Sequence, residues 1–209
     1  MVGKPLYVLI SSMSASAAEE FIGHVAGFKL GEVIGETSAG AGFRNTFFPV
    51  PGGYVISVSV GRAVLASTGK DWEGVGIAPT TKVAAGKALE VAEVHALRRI
   101  AATSSPDRKA ELEAVATVLA AQVDPVPTAL PLSAYAGTFG ERKVTLENGK
   151  LVFQRGTGPK FTIIPIDANA FAFEEAPVER LAYSVAGNAA TGFELTRSDG
   201  SKVIANRTP

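Results

Sequence analysis

The apolar positions of this chain follow two different rhythms, and the change between them falls near residue 131. Before it, apolar runs alternate with helical spacing. "LYVLIS" (Leu6–Ser11) is a continuous run of strand length, predicting a strand covered on both faces. Phe21, Val25 and Phe28 then recur at helical intervals, predicting a helix from Ser16 to about Leu30. "EVIGE" (Glu32–Glu36) is a second short strand, so the opening reads as a β–α–β unit with a parallel sheet. "FFPV" and "YVISVSV" predict two strands around the turn Pro51-Gly52-Gly53, and Ala66–Thr80 is a glycine-rich loop. Two amphipathic helices are predicted next. One runs from about Ala84 to Ala102 with Leu89, Ala92, Ala96, Leu97 and Ile100 as its stripe. The other follows Ser105-Pro106, with Leu112, Val115 and Leu119 facing inward.

"VDPVPTALP" carries three prolines and reads as a stiff linker. Beyond it the period becomes two. "KVTLENGKLVFQR" alternates on either side of Asn148-Gly149, a type I′ hairpin signal, and further short strands continue to the end. The expected organisation is an α/β region over residues 1–102, a helix and Pro-rich linker over 103–131, and a small antiparallel β-rich domain over 132–209.

Composition narrows the functional classes. The 209 residues are 46% hydrophobic and 19% charged, ordinary for a folded chain long enough for one large or two modest domains. Lys and Arg together number 20, as do Asp and Glu, so no basic excess marks a nucleic-acid partner. There is no cysteine, which excludes disulfides, thiolate metal sites and cysteine nucleophiles. With two histidines and no carboxylates at ligand spacing, neither a metal nor an organic cofactor is implied.

Candidate chemistry concentrates in "SSMSASAAEE" (Ser11–Glu20). Ser16-Ala17-Ala18-Glu19 fits the capping box S-x-x-E, in which the serine accepts from the Glu19 amide and the glutamate answers. The same position, between strand and helix, also suits a nucleophile, because helix amides and a positive dipole end are at hand for an oxyanion. The Ala17 amide is the natural donor. Residue types alone leave cap and nucleophile both open. His24 falls two turns past Ser16, and His95 lies in a distant helix among Glu93, Arg98 and Arg99. "GAG" at Gly40–Gly42 is a poor phosphate cradle, without a following lysine or helix. Glu73 by default is a solvated loop carboxylate.

Taken together, "PLYVLISSMSASAAEEFIGHVAGFKLGEVIGETSAGAGF" and "GKDWEGVGIAPTTKV" resemble the catalytic part of the tail-specific (C-terminal-processing) serine peptidases. The branch that looks closest holds the tricorn protease core and the interphotoreceptor retinoid-binding protein modules. The resemblance covers about Pro5 to Leu97. It implies a ClpP/crotonase-like spiral core, present in part, with Ser16 as nucleophile, Ala17 as oxyanion donor and a peptide or protein substrate passing near Gly40 and Gly42. One branch of the family places a lysine base directly after the glycine matching Gly40; here Ala41 stands there, which removes a serine–lysine dyad. The tricorn-like branch uses serine with a histidine, a second serine and a glutamate. That glutamate matches Glu73, and the histidine and second serine come from an upstream segment of the same protein. The family usually has an aspartate after the proline matching Pro79; this chain has Thr80.

The abrupt opening at Met1–Pro5 and the absent histidine together lead to the expectation of a C-terminal portion of a larger serine peptidase, inactive by itself. The alternative is a non-catalytic module that binds a retinoid-like ligand or a peptide. "LSAYAGTFGERKVTLENGKLVFQR" resembles β-rich modules appended to bacterial hydrolases and implies an accessory or substrate-shielding role. The resemblance implies a periplasmic or other extracytoplasmic site, and homo-oligomerisation stays open.

Overall fold

The computed structural model describes residues 3–208, so Met1 and Val2 of the opening segment and Pro209 lie outside the described residues. The chain divides into two compact units, residues 1–92 and 93–209. The sequence expectation of an α/β region followed by an antiparallel β-rich region matches these two units in kind.

In the first unit β1 (Tyr7–Ile10), α1 (Ala17–Gly27) and β2 (Glu32–Gly35) form the predicted β–α–β unit, and β5 (Thr81–Lys82) extends the parallel sheet in the order β1-β2-β5. One sheet face packs Ile10 and Val33 against Ile22 and Val25 of α1, with Leu65, Trp72 and Ile77 closing the cluster. The other face sets Ile34 against Ala88 and Ala92, at the start of α2 (Ala88–Ala101). The strand β1 is not covered on both faces as its apolar run suggested, since Leu9 is 44% exposed.

The helical stripes also differ from those read off the sequence. Phe21 and Phe28 are exposed, and α1 packs through Glu19, Ile22 and Val25. Gly23 and Gly27 explain the rotation. A Cβ on Gly23 would stand 2.5 Å from Leu65 Cδ2, and one on Gly27 would stand 2.0 Å from Ser67 Oγ. Small residues let the loop approach this face, which bulky spacing cannot reveal. The helix stops at Lys29, which takes φ 54° while the Leu30 amide donates to the Val25 carbonyl, a Schellman ending. In α2, Leu89 and Ile100 of the predicted stripe are exposed, and in α3 (Pro106–Val123) Val115 is exposed while Ala114, Ala116 and Val118 are buried.

Between Gly42 and Ala63 the chain runs out and back as an isolated two-stranded ribbon, β3 (Phe43–Val50) and β4 (Tyr54–Arg62). Its register places Phe48 opposite Ile56 and Val50 opposite Tyr54, and breaks at a bulge between Arg44 and Asn45. Both strands are exposed along almost their whole length.

The second unit is a meander of eight antiparallel strands: β6 (Gly137–Phe139), β7 (Arg142–Glu147), β8 (Lys150–Arg155), β9 (Lys160–Asp167), β10 (Ala170–Phe173), β11 (Arg180–Ala186), β12 (Ala189–Thr196) and β13 (Lys202–Asn206). Asn148 and Gly149 both take positive φ at the β7–β8 turn, as the hairpin signal requires. Just past β13, the Thr208 amide donates to the Thr138 carbonyl in β6 at 2.9 Å, bringing the two edges of the sheet together. Inward-facing Tyr135, Phe139, Phe171, Tyr183 and Phe193 fill the interior with edge-on ring contacts.

Candidate active site

The chain leaves β1 through a tight turn in which Ser11 and Ser14 serve the backbone. The Ser11 hydroxyl oxygen accepts the Met13 amide, the Ser14 hydroxyl oxygen accepts the Ser11 amide, and the Ser14 carbonyl accepts the Ala39 amide. Ser16 follows as an exposed residue with φ 58° and ψ −121°, the first-position conformation of a type II′ turn that glycine favours. A serine held there is strained by about 1–3 kcal/mol, and the surrounding bonds must impose it. The restraint is Glu19, whose carboxylate accepts the Ser16 amide at 2.8 Å, while the Glu19 amide donates to the Ser16 carbonyl at 2.9 Å. The capping-box pattern read from the sequence is therefore present.

Glu19 does more than cap. It is fully buried, and its two oxygens accept five hydrogen bonds. Oε1 takes the Ser38 hydroxyl and the Gly40 amide, both at 2.6 Å. Oε2 takes the Ser16 amide and the Ala41 amide at 2.8 Å, and the Trp72 indole N–H at 3.1 Å. Burial alone would raise the carboxyl pKa, but donation from Ser38, Gly40, Ala41 and Ser16 outweighs it and holds the group below its ordinary value. One carboxylate thus ties the start of α1 to the 37–42 loop and to Trp72. The Ser38 hydroxyl oxygen, in turn, accepts the Ile77 amide at 2.6 Å.

Glu73 is part-buried and accepts the Gly42 and Phe43 amides at 2.7 and 2.8 Å, so it is a clamp on the entry to β3 and not a solvated loop side chain. Adjacent amides, Ala41 and Gly42, are held by Glu19 and Glu73 respectively, which links Ser16 and Glu73 through one hydrogen-bonded path. Gly40 sits at φ 83°, where a Cβ would stand 2.9 Å from the Gly76 nitrogen. Its carbonyl accepts the Gly74 amide and that of Gly42 accepts the Ala63 amide. Both glycines thus have amide and carbonyl engaged internally; what they offer a neighbour is room. The Ala17 amide, first of the helix, has no hydrogen-bond partner among the described residues and lies at an exposed position. Thr80, where an aspartate was expected, uses its amide and its hydroxyl to bond the backbone of Val33.

Helix geometry keeps His24 away from Ser16. His24 is eight residues along α1, about 12 Å at 1.5 Å per residue, and stacks on Phe28 at 5.8 Å. His95 lies in the second unit. Among the described residues no three His, Cys, Asp or Glu side chains converge at metal-binding distance, and no helix is long and apolar enough to cross a membrane.

The sequence reading missed Glu19 beyond its capping role. Its only local signal is the S-x-x-E spacing; the remaining donors come from residues 38, 40, 41 and 72, which folding alone delivers.

Comparison with known proteins adds a family to this geometry. Residues 1–83 match the model of peptidase family S41, which bears out over that stretch the resemblance to tail-specific peptidases. Among solved structures, a photosystem II D1 C-terminal processing protease matches with 29% identity and a TM-score of 0.36, over 40% of this chain. The chain spans 21% of the length of that protease.

Proposed function

We propose that this chain, whose first 83 residues match peptidase family S41, carries the nucleophile of a serine peptidase at Ser16. The observation that supports this most is the backbone of Ser16. An exposed, non-glycine residue is held at φ 58° between a strand and a helix, the strained strand-to-helix placement that presents a nucleophilic hydroxyl to a substrate.

In this reading Ser16 Oγ attacks the scissile carbonyl carbon and its proton passes to a general base. The carbonyl oxygen gains the charge and is met by the unpartnered Ala17 amide at the positive end of α1. Collapse of the tetrahedral species expels the amine, which takes the proton, and water then releases the acyl group by the same steps in reverse. Glu19 and Glu73 touch no reacting atom. Glu19 positions the Ser16 turn against the 37–42 loop, and Glu73 fixes the path from Gly42 into the ribbon. Gly40 and Gly42, buried with their Cβ directions filled by residues 72–76, let that loop pack close and so shape the wall past which a peptide would run. Ala41 cannot serve as the base, and the resemblance to the tricorn-like branch supplies that role as a histidine from an upstream segment. The β-rich unit serves as an accessory module that shields or admits substrate.

Labelling with a fluorophosphonate tests the reading. The native protein is expected to label, and Ser16→Ala to abolish labelling without changing Trp72 emission. Absence of label in every polypeptide that carries this chain would sink it. The rival, a binding module without chemistry, is favoured by the Ser16 hydroxyl having no hydrogen-bonded proton acceptor among the described residues. It predicts saturable ligand uptake with no label.

A further inference from the structure

Above its base the β3–β4 ribbon carries no charge: residues 45–61 contain no Asp, Glu, Lys, Arg or His. The register sorts their side chains onto two faces, because directly paired residues share a side and the side alternates at each step. One face carries Thr46 with Val58, Phe48 with Ile56 and Val50 with Tyr54. The other carries Asn45 with Ser59, Phe47 with Ser57 and Pro49 with Val55. On this second face the Ser59 hydroxyl donates to the Asn45 side-chain oxygen at 2.9 Å. On the first, polar side-chain atoms are confined to the Thr46 and Tyr54 hydroxyls.

That apolar face lies open. Phe48 is 46% exposed, Ile56 50%, Val58 42% and Tyr54 73%. A ribbon of two strands is marginal by itself in water, and a contiguous exposed apolar face marks a contact surface. Two features choose the occupant. The first is charge. A contact about a twofold axis brings each patch against its own copy, so any charge on it would meet its like. A face without charge meets its copy with no repulsion, and offers an acidic or basic partner nothing to hold. The second is area. At these exposures the face presents on the order of 500 Å² per copy. Two copies together hide roughly 1,000 Å², the lower bound of a specific interface.

We propose that the ribbon face built from Phe48, Val50, Tyr54, Ile56 and Val58 is a self-association surface, on which a second copy of this chain seats the same face to form a twofold dimer. Sheet faces pack about 10 Å apart with interlocking side chains, an arrangement open to two such ribbons. An area at the lower bound makes the dimer a weak one, with a dissociation constant in the micromolar range, held by apolar burial. The inference does not depend on Ser16 being a nucleophile.

Sedimentation equilibrium of the full chain tests it. A monomer–dimer equilibrium is expected, which added sodium chloride leaves unchanged or tightens. Phe48→Lys combined with Ile56→Lys is expected to weaken association about a hundredfold or more, and so is Phe48→Glu combined with Ile56→Glu. Mixing these two proteins is expected to restore a dimer, now sensitive to salt, which misfolded chains cannot do. Unchanged Trp72 emission checks that each variant is folded. Because the chain has no cysteine, a single one can be placed on either face. A nitroxide attached through Ile56→Cys is expected to lose mobility as the protein is concentrated, and one attached through Ser57→Cys to keep it. A monomer at every concentration overturns the proposal and leaves the face to a different partner. So does a dimer that survives the paired lysines, or a label that stiffens at position 57 in place of 56.

Discussion

The two units solve the problem of holding a chain in place by opposite means. The second encloses a set of interlocked rings: Tyr135 against Phe171 at 4.9 Å, Phe139 against Phe193 at 5.0 Å, Phe153 against Phe173 at 5.2 Å. Its polar groups are mostly peripheral to that core. The first has a thinner apolar core, carries most of the exposed large hydrophobics, and gathers its loops around the buried carboxylate of Glu19. Ring packing is additive and forgiving of small losses, because many contacts share the load. A saturated buried carboxylate is not, because every donor around it loses its partner at once. The strained, exposed serine stands on the second kind of support, where directional bonds can fix a single backbone conformation.

The largest expected effect comes from hollowing the ring cluster. Phe171, fully buried, replaced by Ala should cost about 3–5 kcal/mol in the β-rich unit through lost contacts and a residual cavity. Trp72 is the only tryptophan of the chain and lies in the first unit, so its emission separates the two. The far-UV β signal should melt earlier while the Trp72 transition stays put. A parallel shift of both would mean that the units do not differ in the way described.

Somewhat smaller is the effect of Glu19→Gln. The substitution keeps size but turns one acceptor oxygen into a donor facing two or three N–H and O–H groups, and should cost about 2–4 kcal/mol in the Trp72-reported transition. The same carboxylate makes the first unit acid-sensitive in a defined direction. Its folded pKa is depressed below the ordinary value of 4.5, so its contribution is complete above that value and is lost as pH falls through the folded pKa. Lowering pH from 6 toward 3 should reduce the Trp72 midpoint in the wild-type protein and barely move it in Glu19→Gln. An equal acid slope in both would remove Glu19 from its assigned role.

The smallest effect sharpens the contrast from the other side. Tyr183 is buried with its hydroxyl unpartnered among the described residues, and burial pushes its pKa up. Removing that oxygen in Tyr183→Phe leaves the rings in place and should change stability by zero to about +1 kcal/mol, measured by denaturant midpoint. A loss above 1 kcal/mol would show that the ring cluster depends on a polar bond.

Local patterns carried much of the architecture. The β–α–β opening, the Pro51-Gly52-Gly53 ribbon and the Asn148-Gly149 hairpin all follow from signals within a few residues, and all stand where the sequence placed them. The helical faces did not, because bulk was the guide. Phe21 and Phe28 point away from the core that Gly23 and Gly27 approach. Spacing names the members of a face but not which face meets a neighbour.

For the candidate site, the sequence by itself determined where the chemistry could stand: Ser16 at a strand-to-helix junction, Glu19 three residues later, an alanine at 41 that cannot act as a base. Its i, i+3 spacing also set one of the five bonds of Glu19. The other four, from residues 19 to 53 positions away, exist only because the 37–42 loop and Trp72 fold back onto α1. The strain at Ser16 and the burial of Glu19 were likewise decided by tertiary structure. Each depends on which distant backbone groups are brought within hydrogen-bond or van der Waals reach, and no local pattern encodes that distance.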